Sequence, residues 1–120
     1  MADRPPTILI VDDEPQVLRL VEKMLGGRRG NVLVAARVSA ALEICESQPV
    51  DVLISDVVMP GMDGHRLAER VLELHPQASV LLISGHCRDA PQVGRPGQVR
   101  FLRKPFFPSQ LIEVLRELLP

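Results

Sequence analysis

Five polar residues follow apolar runs: Asp12 and Asp13 after Ile8-Leu9-Ile10-Val11, Asp56 after Val52-Leu53-Ile54-Ser55, Ser84 after Val80-Leu81-Leu82-Ile83, and Lys104 after Phe101-Leu102-Arg103. A short apolar run bounded by turn signals reads as a buried strand. Each polar group is therefore expected at a strand's carboxyl end, and in a parallel sheet those ends share one edge, where ligands and reacting groups collect. Three carboxylates gathered there raise one another's pKa unless a cation joins them. A hard divalent cation with oxygen ligands, Mg²⁺ by preference or Mn²⁺, resolves that repulsion. A lysine and a hydroxyl beside a metal-bound carboxylate make a receptor for a phosphoryl group, the cations neutralising its oxygens and the hydroxyl and backbone N–H groups bonding them. Asp56 is central to this expectation, because its strand runs into a carboxylate and then breaks at Met59-Pro60-Gly61-Met62-Asp63-Gly64.

Singly, each feature has a plainer reading. Asp13 and Gln16 satisfy a helix-capping spacing. An aspartate, a serine or a Lys-Pro after a strand is usually a turn or cap, and Phe101 alone reads as core packing. Only their co-location lifts them. His65, His75 and His86 read as surface or loop residues without a catalytic role, His86 lying near the mouth of the site. Cys45 and Cys87 show neither C-x-x-C nor metal-ligand spacing, so no disulfide framework or zinc site is expected. Cys45 reads as a core thiol.

The elements that must carry these groups alternate along the chain. Thr7–Val11, Asn31–Ala36, the run ending at Asp56, Ser79–Ile83 and Val99–Arg103 are the expected strands, the last an edge strand because apolar and charged residues alternate in it. Between them, Val17, Leu18, Val21, Met24 and Leu25 recur at helical spacing before Gly26-Gly27. Ser39 is the expected cap of a helix with Ala41, Leu42 and Cys45 on one face. Leu67, Ala68, Val71 and Leu74 form another stripe that Pro76 ends, and Pro108 opens a C-terminal helix with Leu111, Val114, Leu115 and Leu118 inward. Residues 86–98 are interrupted by Pro91, Gly94, Pro96 and Gly97, so the fourth helix is expected to be short or absent. Strand–helix alternation with short turns predicts an α/β fold, a doubly wound parallel sheet of five strands.

The 120 residues, 46% of them hydrophobic, predict one core and one domain over residues 1–120. A formal charge of −1 provides no basic field for nucleic acid. The N-terminus lacks a signal peptide's apolar core, and no apolar run approaches the ~20 residues of a membrane span. A soluble, cytoplasmic chain without a membrane partner is expected, either standing alone or belonging to a larger protein.

Taken in order, Asp12-Asp13, Asp56 with Met59-Pro60-Gly61-Met62-Asp63-Gly64, Ser84-Gly85 and Lys104-Pro105-Phe106 resemble the receiver domain of bacterial response regulators, which also occurs in hybrid histidine kinases. The resemblance covers nearly the whole chain. It implies a flavodoxin-like fold with strand order 2-1-3-4-5 and a two-component phosphorelay in which Asp56 takes a phosphoryl group from a histidine kinase or phosphotransfer domain. It further implies Mg²⁺ held by Asp12, Asp13, Asp56 and the Val58 carbonyl, phosphoryl contacts from Ser84 and Lys104, Phe101 as a switch, and a cis Lys104-Pro105 bond. Such a protein assists its own phosphorylation and dephosphorylation without being a dedicated enzyme, and a homodimer is among its assemblies. Phe107 departs from the pattern, since a Thr or Ser cap is common before Pro108. The competing reading is a receiver-like module that docks a partner without phosphorylation. A phosphatase is a poorer match, because Val58 stands where a second acid would be needed.

Overall fold

The computed structural model describes residues 6–12, 19, 22, 23, 31–57, 64–85 and 98–118. Five strands form one sheet: β1 (Thr7–Val11), β2 (Asn31–Ala35), β3 (Val52–Asp56), β4 (Ser79–Ser84) and β5 (Val99–Arg103). Every neighbouring pair is parallel and the order is β2-β1-β3-β4-β5. The chain steps outward from β1 to β2, then crosses back to β3, so the topological switch point lies between β1 and β3. Val11 pairs with Ser55, which brings the residues that follow them, Asp12 and Asp56, to the same edge.

Three helices cover the described parts of the sheet: α1 (Val38–Ser47), α2 (Gly64–Leu74) and α3 (Pro108–Leu118). Successive strand residues point to opposite faces. Leu9, Val11, Leu53, Val80 and Leu82 therefore pack on one side with Ala41 and Cys45 of α1 and Leu67, Ala68 and Val71 of α2. Ile8, Ile10, Val52, Ile54, Leu81 and Ile83 pack on the other with Leu111, Leu115 and Leu118 of α3. With both faces covered, the strands need continuous apolar runs, and each fully buried Leu or Ile stabilises the fold by ~1.5–3 kcal/mol relative to leaving it exposed. Arg19, Glu22 and Lys23 are helical, as expected between β1 and β2. The rest of that expected helix, and residues 86–97 with the expected short or absent fourth helix, lie outside the described residues.

Two local expectations are corrected. α1 begins at Val38, one residue before Ser39, and its N-cap Arg37 makes no side-chain cap bond. Val38 is buried against the core while Ser39 is exposed, so packing rather than a hydroxyl cap sets where this helix starts. Leu74 is exposed, and Leu72 packs against the core instead, because the stripe through Leu67, Ala68 and Val71 drifts around α2 before its last residue. No helix among the described residues is long and apolar enough to cross a membrane.

Candidate functional site

At the carboxyl edge of the sheet, Asp12 is 3% exposed, Asp56 8% and Ser84 1%. The Lys104 ammonium lies 3.3 Å from Asp56 Oδ2, to which it donates a hydrogen bond, and 3.8 Å from Asp12 Oδ2. One cation is thus shared by two carboxylates drawn from adjacent strands. Leaving either carboxylate buried and ionised without a positive partner would cost several kcal/mol, so the ammonium is an integral part of this edge. The Lys104 N–H donates to the Ser84 carbonyl at 3.0 Å, which extends the β4–β5 ladder and holds the lysine level with the end of β4. The Lys104-Pro105 peptide bond is cis, as the family resemblance implied.

The backbone at Asp56 is fixed from three directions. The Val57 N–H donates to the Ile83 carbonyl at 3.0 Å, the Gly64 N–H donates to the Val57 carbonyl at 2.6 Å, and the buried Ser55 hydroxyl donates to the Asp56 carbonyl at 2.9 Å. Gly64 opens α2 directly against this backbone. A Cβ there would come within 2.8 Å of Val57 Cα and nearer still to the Asp56 carbonyl oxygen, both backbone atoms. Only glycine permits that approach.

Asp12, Asp56, Ser84 and Lys104 therefore share one edge, as their positions after apolar runs predict. Asp13 and the Val58 carbonyl, expected to complete the cation's ligands, lie outside the described residues. Phe101 is half-buried, stands opposite Leu82 in the β4–β5 register and packs against the core on the α1–α2 side. Among the described residues no three His, Cys, Asp or Glu side chains group as a metal site. Asp12 and Asp56 nonetheless converge on a single cationic group, and an all-oxygen donor set fits Mg²⁺ or Mn²⁺.

Ser55 and Gly64 were not singled out from sequence as positioning residues. Asp63-Gly64 reads as a turn, and nothing local to Ser55 announces its bond to the Asp56 carbonyl. One histidine needs correction, because His65 lies in α2 and is half-buried rather than being a surface or loop residue. His65 and His75 are half-buried at the two ends of α2. His75 Nε2 donates to the Cys45 carbonyl at 2.7 Å, tying α2 to the last turn of α1. His65 Nε2 is buried without a hydrogen-bond partner among the described residues. His86 lies outside them. Burial, with a smaller contribution from Glu46, pushes the Cys45 thiol from its usual 9.0 up to about 11, as suits a core thiol.

A family model described as the response regulator receiver domain matches residues 8–116. The chain is 38% identical over 117 residues to the sensor kinase CckA of Brucella abortus, covering 94% of this chain and 12% of that protein. It is 30% identical over 114 residues to the response regulator receiver protein CpdR of the same organism, covering 93% of this chain and 95% of that one. The crystal structure of the receiver domain from the hybrid histidine kinase CckA superimposes with a TM-score of 0.81 at 36% identity, covering 95% of this chain and 99% of that one.

Proposed function

The chain belongs to the response regulator receiver domain family, and from that premise we propose that it works as one phosphoaccepting unit whose Asp56 takes a phosphoryl group from a phosphohistidine of a histidine kinase or phosphotransfer protein. The observation that carries this reading is the Lys104 ammonium held 3.3 Å from Asp56 and 3.8 Å from Asp12 at the sheet edge. An Asp56 carboxylate oxygen forms the new O–P bond in line as the N–P bond to the donor histidine breaks. The electron pair of that bond returns to the imidazole, and the product is an acyl phosphate on Asp56. Lys104 neutralises charge on the phosphoryl oxygens, and Ser84, at the end of the neighbouring strand, donates a hydrogen bond to one of them.

Asp12, Asp13, Asp56 and the Val58 carbonyl would hold the divalent cation. Bound there, Mg²⁺ supplies positive charge to the phosphoryl oxygens as they pass through the transition state. After transfer, Ser84 moves toward the phosphoryl group and Phe101 changes rotamer, so the β5 surface read by a partner changes. The domain assists its own phosphorylation and hydrolysis, operates in the cytoplasm where phosphohistidine donors are charged from ATP, and acts by protein contacts rather than on nucleic acid. Both a separate protein and a module of a larger kinase fit this activity, since the chain matches nearly all of CpdR but only 12% of CckA.

Incubation with a small acyl phosphate and Mg²⁺, read by intact mass, is expected to give one labile phosphoryl adduct, and Asp56→Asn to give none. Undiminished labelling of that variant would overturn the assignment. A module that docks without phosphorylation would show no adduct even in the wild-type chain.

A further inference from the structure

Ser55 is fully buried in β3, between Val11 of β1 and Leu82 of β4 in the sheet register. Leu53 and Val57, two residues to either side of it, belong to the cluster on the α1–α2 side of the sheet, as do Val11 and Leu82. Alternate strand residues share a face, so the Ser55 side chain lies on that apolar side. A hydroxyl buried there costs free energy unless it is hydrogen-bonded, a cost that an apolar side chain would not incur. Its bond goes to the Asp56 carbonyl, at 2.9 Å. That carbonyl and the Val57 N–H belong to one planar peptide group. The N–H end of the group donates to the Ile83 carbonyl at 3.0 Å, and the carbonyl end accepts from Ser55. Among the described residues the β1–β3 register ends at Val11 and Ser55, so this peptide lies just beyond its last pair.

We propose that Ser55 is a positioning residue for phosphoryl acceptance, its hydroxyl fixing the tilt of the Asp56–Val57 peptide and so aiming the Asp56 carboxylate at the incoming phosphorus. The inference rests on the phosphoacceptor reading of Asp56. A peptide plane held at one end pivots about that bond, whereas a plane held at both ends has a set tilt. The tilt sets ψ of Asp56, and with it the direction in which the side chain leaves the strand. In-line attack depends on that direction, since a misplacement of about 1 Å can cost on the order of 100-fold in rate. The Lys104 ammonium, 3.3 Å from Asp56 Oδ2, does not supply the same restraint, because its flexible stem lets it follow the carboxylate. Nor does Gly64, whose N–H holds the carbonyl of Val57 and therefore acts on the next peptide along. Ser55 itself touches neither the phosphoryl group nor the donor, and acts only through the Asp56 backbone.

The test compares wild type, Ser55→Ala, Ser55→Cys, Ser55→Thr and Asp56→Asn in the rate of labelling by a small acyl phosphate with Mg²⁺, followed by intact mass. Urea midpoints are measured alongside, so that every rate is taken where the variant is folded. Ser55→Ala removes the donor, Ser55→Cys keeps the volume but donates weakly, and Ser55→Thr keeps the hydroxyl at the cost of an extra buried methyl. Labelling is expected to slow by roughly tenfold in the alanine and cysteine variants. Ser55→Thr is expected to label close to the wild-type rate even though its urea midpoint falls. A merely structural serine would give the opposite order, with rate following stability across the three. Wild-type labelling by Ser55→Ala would overturn the proposal. Should the alanine variant not fold, wild-type labelling by Ser55→Cys would overturn it equally, by showing that volume suffices. Labelling by Ser55→Thr as slow as that of Ser55→Cys would do so as well, because the hydroxyl would then have rescued nothing. An adduct that Asp56→Asn abolishes but no Ser55 variant slows would overturn the positioning role alone and leave Asp56 as phosphoacceptor. No adduct on wild type, or one undiminished in Asp56→Asn, would overturn the phosphoacceptor reading and the role of Ser55 with it.

Discussion

The Lys104 ammonium, 3.3 Å from Asp56 and 3.8 Å from Asp12, offsets two carboxylates that the fold has taken out of water. Lys104→Met is expected to leave that negative charge without its cation and to destabilise the metal-free protein by on the order of 1–3 kcal/mol, less than a fully buried pair because the lysine side chain remains about a quarter exposed. Urea unfolding in chelator measures the loss. Mg²⁺ should recover more stability in the variant than in wild type, because a divalent cation then no longer competes with the ammonium for the carboxylates. Equal urea midpoints for the two proteins in chelator would show that the ammonium is dispensable to the edge. The lysine's importance was legible in sequence only through its company, since Lys-Pro after a strand is an ordinary turn. Ser55 offers no such signal, because a buried hydroxyl's choice of the Asp56 carbonyl as acceptor is not encoded in composition or spacing.

Among the elements, α2 is the one whose start governs the site. Gly64 sets the first turn of the helix against the Asp56–Val57 backbone, and its N–H holds the Val57 carbonyl at 2.6 Å. Gly64→Ala drives a Cβ into backbone atoms that have no rotamer through which to yield. The expected result is a loss of ~1–3 kcal/mol, as for other overpacked sites, together with slower labelling by a small acyl phosphate as Asp56 shifts away from Lys104. Denaturant unfolding and intact mass check the two effects, and a variant with wild-type stability and labelling would show that the approach is not constraining. Helix existence was readable from apolar spacing, and Pro108 marked the start of α3, whereas the start of α1 and the contacts that support each helix end were not readable. Buried Val38 overrode Ser39 at the start of α1, and Gln110 rather than a capping hydroxyl supports α3.

For the molecule as a whole, strand order sets how protection is distributed. β1, β3 and β4 each have a hydrogen-bonded strand on both sides, while β2 and β5 lie at the edges. Native-state amide exchange is expected to be slowest in β1, β3 and β4, with β2 and β5 opening at lower free energy. Exchange in β5 as slow as in β3 would contradict that ranking. The same topology explains what could be known from the sequence alone. Continuous apolar runs ending in Asp12, Asp56 and Ser84 determined strands buried on both faces and polar groups at their carboxyl ends, because a parallel sheet between helices has no wet face there to alternate toward, while the alternating run before Lys104 determined an edge strand. Which strands are neighbours is a long-range matter that local pattern does not carry; the order 2-1-3-4-5 came from family resemblance and was then observed. Only the tertiary structure set β1 beside β3, brought one ammonium within reach of both Asp12 and Asp56, and joined Gln98 Nε2 to the Pro76 and Ala78 carbonyls across 22 and 20 residues of chain. Such contacts depend on where whole elements come to rest, and that is decided by burial summed over the entire core rather than by the residues adjacent to any one of them.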